Sequence, residues 1–221
     1  STARDLAAYY PQVAMHPMAV VSCAVSEVFR PHSTEEIAAF RAASGITKPY
    51  FLLVGRRDQH KNVALFFQAF EKLPNRADYA LVMAGTTQPL EPELREMAGD
   101  AEGYAGFFTD DALSLVYSGA VALIYPSRYE GFGLPILEAM QSDCPVITCQ
   151  NSSIPEVAGS AALYVGEDAV DEMLQALQAV QQPEVREYLL KRGRQRAAHF
   201  CWQDSAGRLV QLIDEVEHSH V

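Results

Sequence analysis

The stretch that decides the fold is Ala120-Val121-Ala122-Leu123-Ile124-Tyr125-Pro126-Ser127-Arg128-Tyr129-Glu130-Gly131-Phe132-Gly133-Leu134-Pro135-Ile136-Leu137-Glu138-Ala139-Met140. Its first six residues are a short apolar run, the pattern of a strand buried on both faces. Its last residues place apolar side chains at helical spacing, and Pro135 suits the first helical position, where its missing N–H costs nothing. Gly131 and Gly133 leave the amides before that helix uncovered by side chains. A helix N-terminus beside bare backbone N–H groups is a phosphate site. Glu138 then falls about one turn inside the helix and Glu130 on the loop before it, so two carboxylates flank one anion-binding point. Carboxylates accept hydrogen bonds from hydroxyls, which sugars and riboses present in pairs. The plainer alternative makes Glu130 an exposed loop charge and Glu138 a favourable charge near a helix start. The intervening Gly-Phe-Gly-Leu-Pro favours the site.

Working outward, the same alternation repeats. Strands are expected at residues 19–23, 50–54, 79–84, 120–125, 145–148 and 161–165, and helices at 34–43, 63–73, 91–98, 111–118 and 136–141. That order predicts an α/β fold: a Rossmann-like, mainly parallel sheet with helices on both faces. After Val165 the pattern turns purely helical, with candidates at 170–180, 183–199 and 203–217. Open parallel sheets bind ligands at the carboxyl ends of their strands, so the loops after Val54, Ala84 and Tyr125 are the places to inspect.

After Val54 comes Gly55-Arg56-Arg57-Asp58-Gln59-His60-Lys61-Asn62, which gathers three fixed cations and a histidine at a strand-to-helix turn. Gly55 permits a sharp turn, Arg56 offers a planar fork and Lys61 a flexible point charge, a complementary pair for a diphosphate. A solvated basic turn that simply opens a helix is the other reading. A further stretch, Tyr104-Ala105-Gly106-Phe107-Phe108-Thr109-Asp110-Asp111-Ala112-Leu113, reads as a short strand, a turn and a helix capped by Thr109 or Asp110. Exposed backbone around Phe107 and Phe108 could hold a base edge; core aromatics beside a helix cap are the alternative. Phe200 and Trp202 are expected to pin the last helix to the domain.

Composition narrows the class. The 221 residues, 49% of them hydrophobic, suffice for one large core. No apolar run approaches the roughly 20 residues that cross a bilayer, and residues 1–10 have neither a long apolar stretch nor a basic bias, so they read as the inside of a longer protein. A formal net charge of −11 repels nucleic acid and anionic lipid, while local basic clusters can still bind a small anion. Cys23, Cys144, Cys149 and Cys201 lack CxxC spacing and read as buried free thiols in a reducing compartment. The histidines show no HExxH pattern, so no structural metal is expected.

Together these segments resemble the retaining glycosyltransferases of family 4, built from two Rossmann-like domains in the GT-B arrangement. The resemblance covers nearly the whole chain: Ser1-Thr2-Ala3-Arg4-Asp5-Leu6, residues 21–31, Gly55-Arg56 to Lys61-Asn62, residues 106–113, Glu130 to Glu138, Asn151-Ser152-Ser153-Ile154-Pro155-Glu156-Val157-Ala158-Gly159 and Phe200-Cys201-Trp202. It implies that residues 1–221 are the nucleotide-sugar donor-binding half, with 1–18 and the last helix, about 203–217, bordering a missing N-terminal acceptor domain. It also implies that Arg56 and Lys61 bind the donor diphosphate and stabilise its developing charge. Glu130 would hold donor-sugar hydroxyls, Glu138 the ribose, Phe107 or its neighbours the base, and amides of Phe132 to Leu134 phosphate or sugar. The implied reaction is hexosyl transfer with retention, from GDP-mannose or UDP-glucose type donors, without cofactor or metal, in polysaccharide biosynthesis and in the cytoplasm. Membrane contact would come only through the missing domain, and this chain alone would bind donor but hardly transfer from it. Arg57 stands where family members often carry an apolar residue, which reads as a second phosphate contact or a surface change. A nucleotide-sugar epimerase of the same shape and a non-catalytic binding domain are the competing functions.

Overall fold

The computed structural model describes residues 2–12 and 18–218. Six strands form one parallel sheet: β1 (Tyr50–Val54), β2 (Ala80–Ala84), β3 (Gly103–Gly106), β4 (Ala122–Tyr125), β5 (Val146–Cys149) and β6 (Leu163–Val165), in the order β3-β2-β1-β4-β5-β6. The order reverses between β1 and β4, which pair through Phe51 with Ala122 and Leu52 with Leu123. This is the Rossmann order, and the crevice at such a reversal is where these sheets bind.

Alternation along β1 builds two cores. Tyr50 and Leu52 face one side, covered by α2 (Thr34–Ser44), α5 (Asp110–Gly119), α6 (Leu134–Gln141) and α7 (Ile154–Ala158). Phe51 and Leu53 face the other, covered by α3 (Val63–Glu71), α4 (Pro92–Ala98), α8 (Val170–Ala179) and part of α9 (Pro183–Ala197). Because both faces are covered, the central strands are continuous apolar runs. Helix ends follow local chemistry. Ser33 and Glu36 form a capping box on α2, which stops at left-handed Gly45. Thr109, of the two expected candidates, caps α5.

Four expectations are corrected. Residues 19–23 form no strand: β3 and β6 are the sheet edges and neither pairs with this run. Instead the Ser205 hydroxyl of α10 (Trp202–His218) donates to the Ser22 carbonyl at 2.6 Å. Pro135 takes the second position of α6, after Leu134, where its N–H is equally dispensable. Phe200 does pack on Phe132, with ring centroids 5.9 Å apart, but Trp202 is 56% exposed and is no buried anchor. All four cysteines are free; Cys144 and Cys149 are buried, Cys23 and Cys201 only half-buried. The first helix, α1 (Thr2–Tyr9), lies beside the loop after β4, where the Tyr129 hydroxyl donates to Asp5 at 3.0 Å. Ser1 and residues 13–17, part of the expected 1–18 border, lie outside the described residues. No helix among the described residues is long and apolar enough to cross a membrane.

Candidate functional site

The two charged loops anticipated from the sequence flank the β1/β4 reversal. At the end of β1 the chain turns at Gly55, with φ +101°, and the neighbouring β2 turns at Gly85, with φ +91°. The two backbones nearly touch: a Cβ on Gly85 would come within 3.3 Å of the Gly55 Cα. Only glycine fits at such a contact, and φ in this region disfavours any side chain. A single 3-10 turn, Gln59–Lys61, then leads to Asn62, whose left-handed φ of 52° starts α3. This geometry returns Lys61 over the turn, its stem close enough that a Cβ on Gly55 would lie 3.9 Å from Lys61 Cε.

Lys61 points at the other loop. Its Nζ donates to Glu130 Oε1 at 2.6 Å and to the Tyr125 hydroxyl at 3.1 Å. The Lys61 and Glu130 side chains are 19% and 12% exposed. Burial works to raise the Glu130 pKa, but the Lys61 ammonium and the nearby hydroxyls of Ser127 and Tyr125 outweigh it and hold the carboxyl below its ordinary value. Burial, followed by the Glu130 charge, holds the Tyr125 hydroxyl protonated far above its ordinary range.

Arg56 is 80% exposed and, among the described residues, its guanidinium pairs with Asp58 at 3.3 Å, an exposed contact that leaves it able to swing toward an anion. Arg57 is the opposite case. It is 5% exposed, and its guanidinium donates to Glu91 at 3.1 Å, to the Pro89 carbonyl at 2.6 Å and to the Gln88 carbonyl at 3.2 Å. Neither expectation for Arg57 fits that position: it is a buried clamp on the loop after β2.

After β4, Glu130, Gly131, Phe132 and Gly133 approach the N-terminus of α6, where Gly133 is left-handed at φ +103° and offers no side-chain cap. Of the first three residues of α6, Pro135 has no N–H and the Ile136 amide donates to the Gly133 carbonyl at 3.0 Å, which leaves the Leu134 amide for an acceptor from outside the helix. Sequence reasoning missed what holds this loop. The Glu130 amide donates to the Ser152 hydroxyl at 2.9 Å, and the Ser153 hydroxyl lies 2.9 Å from the Glu130 carbonyl and 3.0 Å from that of Phe132. The Arg128 amide donates to the His60 carbonyl at 2.8 Å, tying the two charged loops together across the reversal. Ser152 and Ser153 were legible only as part of a family motif, and Tyr125 only as an apolar strand residue.

Glu138 lies one turn inside α6 and its Oε2 accepts from the Tyr117 hydroxyl at 2.8 Å. Burial raises its pKa, partly offset by that hydrogen bond. The two phenylalanines at the end of β3 separate: Phe107 is 75% exposed, while Phe108 packs on Phe40 with centroids 6.4 Å apart. A groove of about 540 Å³ between α1, residues 18–23 and α10 is lined by Gly131, Phe132, Leu6, Val21, Phe200 and Leu212 among others. It does not open onto Lys61. Among the described residues no group of three or more His, Cys, Asp or Glu gathers as metal ligands would.

The family model for glycosyl transferases group 1 matches residues 36–196. O-antigen chain mannosyltransferase B of Escherichia coli is 36% identical over 169 residues, 73% of this chain and 44% of that protein. Sucrose-phosphate synthase from Thermosynechococcus elongatus has a similar structure, with a TM-score of 0.79 at 24% identity over 98% of this chain and 57% of that one. Anabaena HepE, solved in complex with UDP and glucose, has a TM-score of 0.72 at 15% identity over 85% of this chain and 54% of that one. The chain thus spans about half the length of each of these three proteins. A match over most of the sequence, on a half-length sheet of this order, makes the chain a member of the group 1 glycosyl transferases.

Proposed function

We propose that this chain is the donor-binding half of a retaining hexosyltransferase, taking a nucleotide diphosphate sugar at the β1/β4 reversal. The observation that carries the reading is the Lys61–Glu130 pair, which brings a phosphate-type cation and a hydroxyl-type acceptor together beside the open N-terminus of α6. Arg56, Lys61 and the Leu134 amide meet the diphosphate and stabilise the negative charge that grows on it as the glycosidic bond breaks. Preorganised donors act most strongly where charge develops. These cations do the work that a metal would otherwise do. Glu130 accepts from hydroxyls of the donor sugar, and Glu138, whose Oε1 is not used by Tyr117, accepts from the ribose. Phe107, exposed at the end of β3, covers the base.

The likeness to an O-antigen mannosyltransferase favours GDP-mannose as the donor, and the complex of HepE with UDP and glucose keeps uridine donors in the test. The acceptor and the groups facing the anomeric carbon come from a second, N-terminal half. Exposed apolar residues on α1 and α10, including Leu6, Leu209 and Ile213, support a border there. Free thiols at Cys144 and Cys149 fit a reducing, cytoplasmic setting. Calorimetric titration with GDP, UDP, GDP-mannose and UDP-glucose tests the reading. One nucleotide family binds, and Glu138→Ala weakens it about ten- to a hundredfold, the worth of a charge-assisted hydrogen bond. Binding of no nucleotide at millimolar concentration, or affinity indifferent to Glu138, would overturn it.

A further inference from the structure

Lys61 and Glu130 hold each other at 2.6 Å, yet the reading above sends the lysine to the diphosphate and the carboxylate to the sugar. A lysine that turns to the phosphates abandons a carboxylate that is only 12% exposed and poorly hydrated, which then depends on the nearby Ser127 and Tyr125 hydroxyls. Tyr125 is the third member of the cluster. It is buried at the end of β4, and its carbonyl accepts from the Thr148 hydroxyl at 2.7 Å. Its hydroxyl accepts from Lys61 Nζ at 3.1 Å, and the ammonium lies 5.0 Å from the centre of the same ring. The phenol therefore meets the cation through its hydroxyl, from a side chain fixed by the close-packed core. It also keeps a proton to donate.

Resting on the donor reading, we propose that the Tyr125 hydroxyl is a positioning group: when Lys61 swings to the diphosphate, the hydroxyl donates to Glu130 and keeps that carboxylate oriented toward the donor sugar. The proton stays on the phenol, so the exchange is one of hydrogen bonds only. Three features agree with this role. The hydroxyl lies 3.1 Å from the ammonium that Glu130 also holds, the Glu130 charge already favours its protonated form, and its own presence favours the ionised carboxylate.

Tyr125→Phe tests the proposal, since it keeps the ring in the core. Two readouts separate it from the donor reading. In a carbon-13 titration of the Glu130 carboxyl, the variant's midpoint rises above that of the parent chain; an unchanged midpoint overturns the proposal whatever else is found. In calorimetry, the affinity for GDP or UDP stays within about twofold while that for the matching sugar nucleotide falls about tenfold, the scale of a lost hydrogen bond to a charge. Equal weakening of both ligands would mean a general structural role and would also overturn it. If the parent chain binds none of the four nucleotides, the donor reading falls and the role of Tyr125 falls with it, whereas nucleotide binding with an unchanged Glu130 midpoint overturns the role of Tyr125 alone.

Discussion

Lys61→Met removes the cation from the site while keeping most of its stem, and its consequences follow from the burial of the pair. Breaking a fully buried ion pair from one side costs about 3–5 kcal/mol, because the remaining charge is left uncompensated. Here the side chains keep 19% and 12% exposure, and the Ser127 and Tyr125 hydroxyls still face Glu130, so the expected cost at pH 7 is about 2 kcal/mol. In a domain of this size each kcal/mol shifts the melting temperature by about 2–4 °C, which predicts a drop of about 4–8 °C. The pH dependence should change sign. In the parent chain Glu130 lies below its ordinary 4.5, so its contribution is present above that pH and is lost as acid protonates it. Without Lys61, burial becomes the dominant influence and raises the carboxyl, so its ionisation opposes folding and the variant recovers stability on mild acidification. Thermal melts followed by circular dichroism at pH 7 and pH 5 read both effects. Adding Glu130→Gln to the variant should restore much of the loss. Equal instability of the single and double variants would refute the argument, because the cost would then not lie in an uncompensated carboxylate.

Two further substitutions test the turns that build the site. Arg57→Met deletes the clamp on residues 88–91, with an expected loss of about 2 kcal/mol in urea denaturation, the range for hydrogen bonds to a charged group. It should weaken a nucleoside monophosphate and the diphosphate by the same factor, whereas selective loss of the diphosphate would make Arg57 a phosphate ligand after all. Gly85→Ala places a Cβ 3.3 Å from the Gly55 Cα at φ +91°, and should cost about 2 kcal/mol in the same assay. An unchanged denaturation midpoint would show that the two turns can move apart.

Much of the sheet could be read locally. Tyr50–Val54 was legible because a strand covered on both faces must be apolar throughout. Residues 19–23 have the same local character and were misread, because pairing depends on a neighbour that the run itself does not specify. The five-residue α7 was missed because it is too short to show a helical period. In the site, Gly55, Arg56, Lys61, Glu130, Gly133 and Glu138 stood out by type and by their position after strands. Arg57 did not: its neighbours in sequence are exposed or charged, and only the loop after β2 reveals that it is buried.

The sequence by itself determined the alternation of strands and helices and the two loops with unusual charge, since both follow from short-range pattern and residue type. The pairing of Lys61 with Glu130, 69 positions apart, was decided by tertiary structure alone. So were the contacts of Tyr125, Ser152 and Ser153. These contacts exist because β4 lies between β1 and β5, and strand order is set by the joint burial of both sheet faces, which no local stretch of the chain encodes.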